Sequence, residues 1–251
     1  MGFGNRASLM VAAIPVLVAV TGLAAIQDTR PAAKQPAAKR PAASFAILAR
    51  DPITGEYGVA AASHAPLIGM NLEYLDKDIG GVVVLGGPYL EINERVMIAM
   101  GEDLSPGKAI PVGLIIDPDK EQRQALAISP LGAAAFTGKK LAKQAADKVG
   151  DYHVVAGHRL ANKDVVPAME EAFLDLDGKL SDRLLAALEA GRDAGGEKDG
   201  ARSAALLVVG PGANFATRGR LVDLRIDYVS GDAVAALAVL RAQVDSVYGV
   251  N

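Results

Sequence analysis

The chain has 251 residues, of which 51% are hydrophobic, enough to bury the core of one domain with additional segments. Its 26 basic and 29 acidic residues give a formal net charge of −3, and the globular part has no basic cluster, so nucleic acid is not an expected partner. The chain has no cysteine, which excludes thiol catalysis, disulfides and cysteine-based metal sites.

The N-terminal segment has the features of an export signal. Arg6 precedes an uncharged, apolar stretch over residues 7–26. Such a stretch, about 20 residues long, is also long enough to span a bilayer if it is not cleaved. We therefore assign residues 1–26 to a signal peptide or a membrane anchor. The expected location is exported: periplasmic, secreted or tethered to the membrane through residues 7–26.

Residues 27–43 form a linker rich in proline, alanine and lysine, which includes the repeat "PAAKQPAAKRPAA". Regularly spaced prolines with little apolar surface favour an extended, polyproline-like chain. This segment is predicted to be a spacer, and residues 44–251 are predicted to form the folded domain.

The domain opens with a predicted β-hairpin. The runs "SFAILAR" and "YGVAAAS" flank "DPITGE", whose Asp, Pro and Gly are typical turn residues. A buried strand, "IGGVVVLG", follows a loop. Two helices are then predicted, the first in "YLEINERVMIAMGEDL" and the second beginning at "SPGKAI".

Strands and helices alternate in blocks through the rest of the chain. Short strands are predicted in "RQALAIS", "GAAAFTG" and "YHVVAGH", and late strands in "RSAALLVVG" and "RLVDLRIDY". Amphipathic helices are predicted in "KDVVPAMEEAFLDL", in "LSDRLLAALEAGRDAGG" with Ser181 as N-cap, and in "GDAVAALAVLRAQVDSVYG". Paired strands with helices grouped between them predict an α+β fold, in which helices pack on the outer faces of antiparallel sheets.

The sequence contains no P-loop, dinucleotide fingerprint, nucleophile elbow or zinc-protease motif, and we expect no cofactor and no metal. The three histidines are His64, His153 and His158. His153 and His158 lie five apart on one predicted strand, so their side chains should point to opposite faces and cannot share a metal. A serine hydrolase that uses His64 or His158 remains an alternative.

Ser44 lies at the junction of linker and domain. A serine at the start of a mature chain carries its own base, since an α-amino group with a pKa near 8 is partly neutral around pH 7. An amide nitrogen cannot act in this way. Ser44 is therefore a candidate nucleophile only if the chain is cut between Ala43 and Ser44.

The run "SFAILARDPITGEYGVAAAS" resembles the opening of the bacterial family called domain of unknown function 1028. The resemblance recurs in "AFTGKK", "VVPAMEEAF", "ARSAALLVV" and "RLVDLRID", and so extends over most of the chain after Ser44. It implies membership of the N-terminal-nucleophile (Ntn) hydrolase superfamily and a four-layer αββα sandwich of two antiparallel sheets. The family typically has Thr directly after the initiator methionine where this chain has Ser44.

The resemblance also suggests site residues. It implies Ser44 as catalytic nucleophile, with Ser63 and Lys77 as assisting catalytic residues. His158 stands where the family usually has Asn after a glycine. The positions implied to line the substrate cleft are Arg50, Asp51, His158, Ser203, Arg225 and Asp227.

Together these features predict an exported Ntn-type hydrolase acting on an amide, peptide-like bond in a peptide-like or small-molecule substrate. The alternative is a non-catalytic binding or structural domain that retains the same fold. A homo-oligomer is compatible with either hypothesis.

Overall fold

The computed structural model describes residues 44–87, 90–141, 144–211 and 219–248. The predicted export segment and linker lie outside these residues. Among the described residues, no helix combines the length and the apolar character needed to cross a bilayer.

The described residues form antiparallel strands and α-helices. In chain order, the strands are β1 (Ser44–Arg50), β2 (Tyr57–Ser63), β3 (Leu75–Asp76), β4 (Gly80–Leu85), β5 (Gln124–Ser129), β6 (Gly132–Thr137), β7 (Ala146–Val149), β8 (His153–His158), β9 (Ser203–Val209) and β10 (Arg220–Ile226). The helices are α1 (Leu90–Gly101), α2 (Pro106–Leu114), α3 (Val165–Asp175), α4 (Leu180–Asp193) and α5 (Ala233–Tyr248).

The strands form two sheets, and every pairing within them is antiparallel among the described residues. The larger sheet has the order β10-β9-β2-β1-β8-β7, and the smaller has the order β3-β4-β5-β6. β1 is thus an interior strand of the larger sheet. The predicted α+β class with antiparallel sheets is confirmed.

Three apolar cores show how these elements are layered. One core joins the two sheets and contains Leu48 and Val59 from the larger sheet with Val83 and Leu126 from the smaller. A second core packs α3, α4 and α5 on the other face of the larger sheet. A third packs α1 and α2 on the other face of the smaller sheet. Successive residues of a strand alternate between the two cores that flank its sheet, since strand side chains have a period of two.

The predicted hairpin is confirmed, with β1 paired to β2 in a register that sets Ser44 opposite Ser63 and Arg50 opposite Tyr57. The turn is built by Asp51, whose Oδ1 accepts hydrogen bonds from the backbone N–H groups of residues 53 and 54, at 2.8 and 3.1 Å. Gly55 completes it with a φ of 74°, which favours glycine.

Two local predictions need correction. The α4 helix begins at Leu180 and its N-cap is Lys179, so Ser181 lies inside the first turn. Leu180 is fully buried against the larger sheet, and this packing brings the helix start forward.

The β7 strand was not predicted, because "ADKV" is half polar and forms an exposed edge that lacks the apolar alternation of the other strands.

Candidate active site

Four polar residues form a row across adjacent strands of the larger sheet. The registers place Ser203 opposite Ser63, Ser63 opposite Ser44, and Ser44 opposite His158. Ala46 and Leu48, two and four residues along β1 from Ser44, lie in the core between the sheets. By the same alternation the row faces the space between the two sheets, at the end of β1 where the described domain starts.

The two central serines are hydrogen bonded to each other. Ser44 Oγ donates to Ser63 Oγ at 3.0 Å, and the backbone N–H of Ala65 donates to the same Ser63 Oγ at 3.1 Å. Ser44 is 3% exposed and Ser63 is 1% exposed. A bond of this kind restricts the rotation of a hydroxyl that water would otherwise leave free. Ser63 therefore holds the candidate nucleophile in one orientation.

Ser203 has a different role in the row. Its Oγ donates to the carbonyl oxygen of Ala65 at 2.6 Å and accepts from the N–H of Ile68 at 3.2 Å. These bonds fasten the loop that follows β2 to β9. The structure thus brings Ser203 close to the predicted nucleophile, where it supports the loop that binds Ser63.

His158 is completely buried and is bonded to the facing sheet. Its Nδ1 lies 3.1 Å from Gln124 Oε1. The amide nitrogen of Gln124 donates to the carbonyl oxygen of Ala146 at 3.1 Å, which can only accept, so the Gln124 oxygen faces His158. Nδ1 therefore carries a proton, and in a neutral imidazole Nε2 is the acceptor.

The Gln124 amide continues this network to a carboxylate. Gln124 Nε2 donates to Thr137 Oγ1 at 3.0 Å, and Thr137 Oγ1 donates to Asp147 Oδ1 at 2.5 Å. Sequence reasoning missed Gln124 because nothing in "RQALAIS" distinguishes a site residue from the first residue of a strand. Only the structure points to Gln124, because it shows a polar side chain that is fully buried within a strand.

Gly157 allows β1 to approach β8 closely. A Cβ at this position would lie 2.8 Å from Leu160 Cδ2, 3.0 Å from Phe45 Cβ and 3.2 Å from the carbonyl oxygen of Ser44. Any side chain here would displace the strand that carries Ser44.

The structure does not bring Arg50, Asp51 or Lys77 to this row. Arg50 and Asp51 lie at the opposite end of β1, about 20 Å from Ser44 at the usual rise per strand residue, and Asp51 caps the hairpin turn. Lys77 is exposed and forms an ion pair with Asp78 at 2.5 Å. Lys77 lies in the turn before β4. The start of β4 pairs with Ile128, whereas Gln124 pairs with the opposite end of β4. Lys77 is therefore at the other end of the smaller sheet from Gln124.

Arg225 and Asp227 lie at the edge of the larger sheet. Arg225 binds Asp223 at 2.7 Å and Glu73 at 2.9 Å in an ion-pair network on the edge strand β10. The backbone oxygen of Asp227 accepts a hydrogen bond from Leu67 at 2.9 Å. Three strand positions separate β10 from β1, so neither residue contacts Ser44.

The other histidines lie away from the row. His153 Nε2 is 3.2 Å from Glu170 of α3, on the helical face of the sheet, which confirms that His153 and His158 point to opposite faces. The exposed His64 donates through Nδ1 to the carbonyl oxygen of Gly200 at 3.0 Å. In the part of the chain that is described, no three His, Asp or Glu side chains are grouped so that they can hold a metal ion.

The fold and site define a class: a two-sheet α+β domain with a buried serine and histidine row at the start of its first strand. The chain belongs to the family of unknown function DUF1028, whose model matches residues 44–237. It is similar to the crystal structure of a DUF1028 protein from Silicibacter pomeroyi, with 31% sequence identity and a TM-score of 0.72. That match covers 81% of this chain and 86% of the other. No curated protein matches the chain.

Proposed function

We propose that this protein is an exported N-terminal-nucleophile hydrolase that cleaves an amide bond in a peptide-like or small-molecule substrate, with Ser44 as nucleophile. The observation that supports it most is the bond from Ser44 Oγ to Ser63 Oγ at 3.0 Å, at the first residue of an interior strand and between two sheets. The family match begins at the same residue, 44.

The chemistry requires cleavage between Ala43 and Ser44. The freed α-amine accepts the proton of the Ser44 hydroxyl while Oγ attacks the substrate carbonyl carbon. The amine product leaves with a proton returned by the α-ammonium, and an ester remains on Oγ. Water, deprotonated by the α-amine, then attacks this ester and releases the acid, so that the serine is regenerated.

Two neighbours assist the proposed reaction. Ser63 accepts from the hydroxyl of Ser44 and so orients Oγ before attack. His158 lies opposite Ser44 in the sheet and is held by Gln124. This position beside Ser44 makes His158 a candidate contact for a peptide-like substrate.

A non-catalytic domain is the second candidate. Ser44 is 3% exposed and its hydroxyl is hydrogen bonded to Ser63, as expected for a structural serine in an uncut chain. In that case the row between the sheets holds the fold together or binds a ligand without cleaving it.

The two candidates differ in the mature N-terminus. The test is the intact mass of the protein purified from its native host, followed by assay of Ser44→Ala on a panel of chromogenic amides. Ser129→Ala is the matched control, because Ser129 is also a buried serine in a strand but lies at the far end of β5.

A mature chain that begins at Ser44, with activity lost in Ser44→Ala and retained in Ser129→Ala, supports the hydrolase. A mature chain that keeps the linker excludes an α-amine base. Activity in such an uncut chain that is lost in His158→Gln would indicate a histidine-based serine hydrolase instead, and no activity would favour the non-catalytic domain.

A further inference from the structure

Glu197 is a carboxyl group buried beside the end of β8. It is 3% exposed, and neither carboxylate oxygen has a hydrogen-bond partner among the described residues. Burial, reinforced by the nearby Asp199 and opposed by Arg159, raises the pKa of Glu197 to about 8. Folded proteins almost always pair such a group, because burying it alone is costly.

The segment that carries Glu197 lies beside the end of β8. Glu197 forms an antiparallel bridge with Leu160. The N–H of Ala161 donates to Gly196 at 2.9 Å and the N–H of Lys198 donates to Arg159 at 3.1 Å. On the side of the chain away from Glu197, the N–H of Leu160 donates to the carbonyl oxygen of Gln144, which is close to β7 in the sequence. The segment 196–198 therefore lies on the β1 side of β8.

This position is in line with β1. Ser44 pairs with His158, and Glu197 pairs with Leu160, two residues further along the same chain. Arg159, between these two positions, has a φ of 54°, and Leu160 packs with Phe45 in the core on the helical side of the larger sheet. A Cβ on Gly196 would lie 3.5 Å from the ring of Phe45, so the segment packs directly against the start of β1. The segment that carries Glu197 therefore lies beside the start of β1.

The arginines near Glu197 already have partners. Arg159 binds Asp199 at 2.8 Å, Arg192 binds Asp193 at 2.8 Å, and Arg202 donates to the carbonyl oxygens of Ser230 and Gly231. Arg192 and Arg202 line, with Phe45, Glu197 and Asp232, a cavity of about 290 Å³. Among the described residues, none of these arginines donates a hydrogen bond to the Glu197 carboxylate oxygens.

We propose that Glu197 is a positioning residue whose carboxylate binds the α-ammonium group created at Ser44 when the chain is cut. The proposal rests on the proposed function, since it requires Ser44 to become the N-terminus. Before the cut, Ser44 offers only an amide nitrogen and Glu197 stays protonated. After the cut, the acid gives its proton to the amine, and the resulting ion pair holds the amine beside Ser44 Oγ.

The ion pair also affects the pH dependence of the reaction. A neighbouring carboxylate stabilises the ammonium and raises its pKa, so the neutral amine needed as base appears at higher pH. Asp199 and Asp232 act in the same direction as Glu197, whereas Arg159, Arg192 and Arg202 oppose it. Removing the charge of Glu197 should therefore move the acidic limb of the activity profile to lower pH.

The test uses the full chain with residues 40–43 replaced by a sequence after which a site-specific protease cuts, so that cutting exposes Ser44. The carboxyl pKa of Glu197 is followed by ¹³C NMR with side-chain-labelled glutamate, and thermal stability is measured before and after cutting. The variants are Glu197→Gln and, as matched control, Glu171→Gln on the exposed face of α3.

We expect cutting to lower the pKa of Glu197 from about 8 and to raise the melting temperature. Glu197→Gln should abolish the rise in melting temperature, while Glu171→Gln keeps it. An unchanged carboxyl pKa in the cut chain, or the same rise in Glu197→Gln, would overturn the pairing even if Ser44 proves catalytic. A native mature chain that starts elsewhere would overturn the pairing and the proposed hydrolase together.

Discussion

Ser44 and Ser63 are paired across β1 and β2, with the hydroxyl of Ser44 donating to that of Ser63 at 3.0 Å. The hairpin turn is far from both residues, so the pairing depends on register along the whole hairpin. Ser63 also accepts from Ala65 N–H. One buried hydroxyl therefore orients the candidate nucleophile and stabilises the loop after β2.

The first prediction follows from this pairing. Ser63→Ala leaves the Ala65 N–H and the Ser44 hydroxyl without their acceptor, and should lower the free energy of unfolding by about 1 to 3 kcal/mol. If Ser44 is catalytic, kcat should fall while KM changes little, because Ser63 acts on the orientation of Oγ. Denaturant unfolding and steady-state kinetics measure the two effects. Equal stability of Ser63→Ala and the native protein would contradict this role.

The second prediction concerns the protonation of His158. Its buried imidazole should be the Nδ1–H tautomer, visible in the long-range ¹⁵N–¹H spectrum, since Gln124 offers only an acceptor to Nδ1. Gln124→Leu should remove this preference and destabilise the fold, whereas Gln122→Leu, two residues earlier and bonded to Asp119, should leave the His158 signals unchanged. An Nε2–H tautomer in the native protein would show that the amide has the opposite orientation.

The third prediction tests the close approach of β1 and β8. Gly157→Ala should cost about 1 to 3 kcal/mol, because its Cβ would meet Leu160, Phe45 and the backbone of Ser44 at 2.8 to 3.2 Å. Gly107→Ala in α2 is the control, since its Cβ would have only one neighbour, at 3.9 Å. This second change should be stabilising by about 0.5 to 1 kcal/mol, as helix propensity favours alanine. Thermal unfolding of both variants decides the comparison.

The fourth prediction concerns a buried ion pair beside Gln124. Arg123 Nε binds Asp117 at 3.0 Å, with side chains only 6% and 3% exposed, and Arg123 also donates to the carbonyl oxygen of Gly86 at 3.1 Å. Asp117→Asn should destabilise the protein by roughly 3 to 5 kcal/mol, because it removes the carboxylate charge that the buried Arg123 guanidinium binds. The exposed pair of Arg95 with Glu91 is the contrast.

In that control, Glu91→Gln should change stability by less than about 0.5 kcal/mol. Urea unfolding at pH 7 measures both values. Similar losses in the two variants would show that burial of the Arg123 pair adds nothing.

The fifth prediction is a pH dependence of the uncut chain that arises from Glu197. The folded carboxyl has a pKa of about 8 against an ordinary value of 4.5, so between these pH values the folded state keeps a proton that the unfolded state loses. Stability should therefore decrease as pH rises through this window, by roughly 3 kcal/mol at pH 7. The loss should level off above pH 8.

Glu197→Gln should remove this slope and be the more stable chain at neutral pH. The measurement is the free energy of unfolding from pH 5 to pH 9 for both chains. An identical slope in the two would show that another group is responsible.

Local patterns in the sequence predicted the elements well. Turn chemistry in "DPITGE" predicted the first hairpin, and the spacing of His153 and His158 predicted that they point to opposite faces, because both depend on residues close in the chain. The N-cap of α4 is predicted at Ser181, two residues later than the observed Lys179, since the burial of Leu180 outweighs the capping preference of Ser181. The polar edge strand β7 lacked an apolar pattern and was missed.

The candidate site could be predicted only in part. Ser44 was singled out by its place at the linker boundary, and Ser63 and Ser203 by resemblance. Resemblance alone could not show which end of β1 lies at the candidate site. The structure sets Arg50 and Asp51 at the opposite end, about 20 Å from Ser44. Gln124 and Glu197 had no sequence signal, because their significance lies in burial and in neighbours from distant elements.

The sequence by itself determined the helices, the apolar strands and the hairpin that aligns Ser44 with Ser63, since these follow from side-chain period and turn residues acting over a few positions. Only the tertiary structure decided that Gln124 of the smaller sheet would bind His158 of the larger, and that Glu197 would be buried near the start of β1. These contacts depend on how two sheets stack and where a returning loop meets the first strand. Both are set by packing between residues far apart in the chain, which no local pattern encodes.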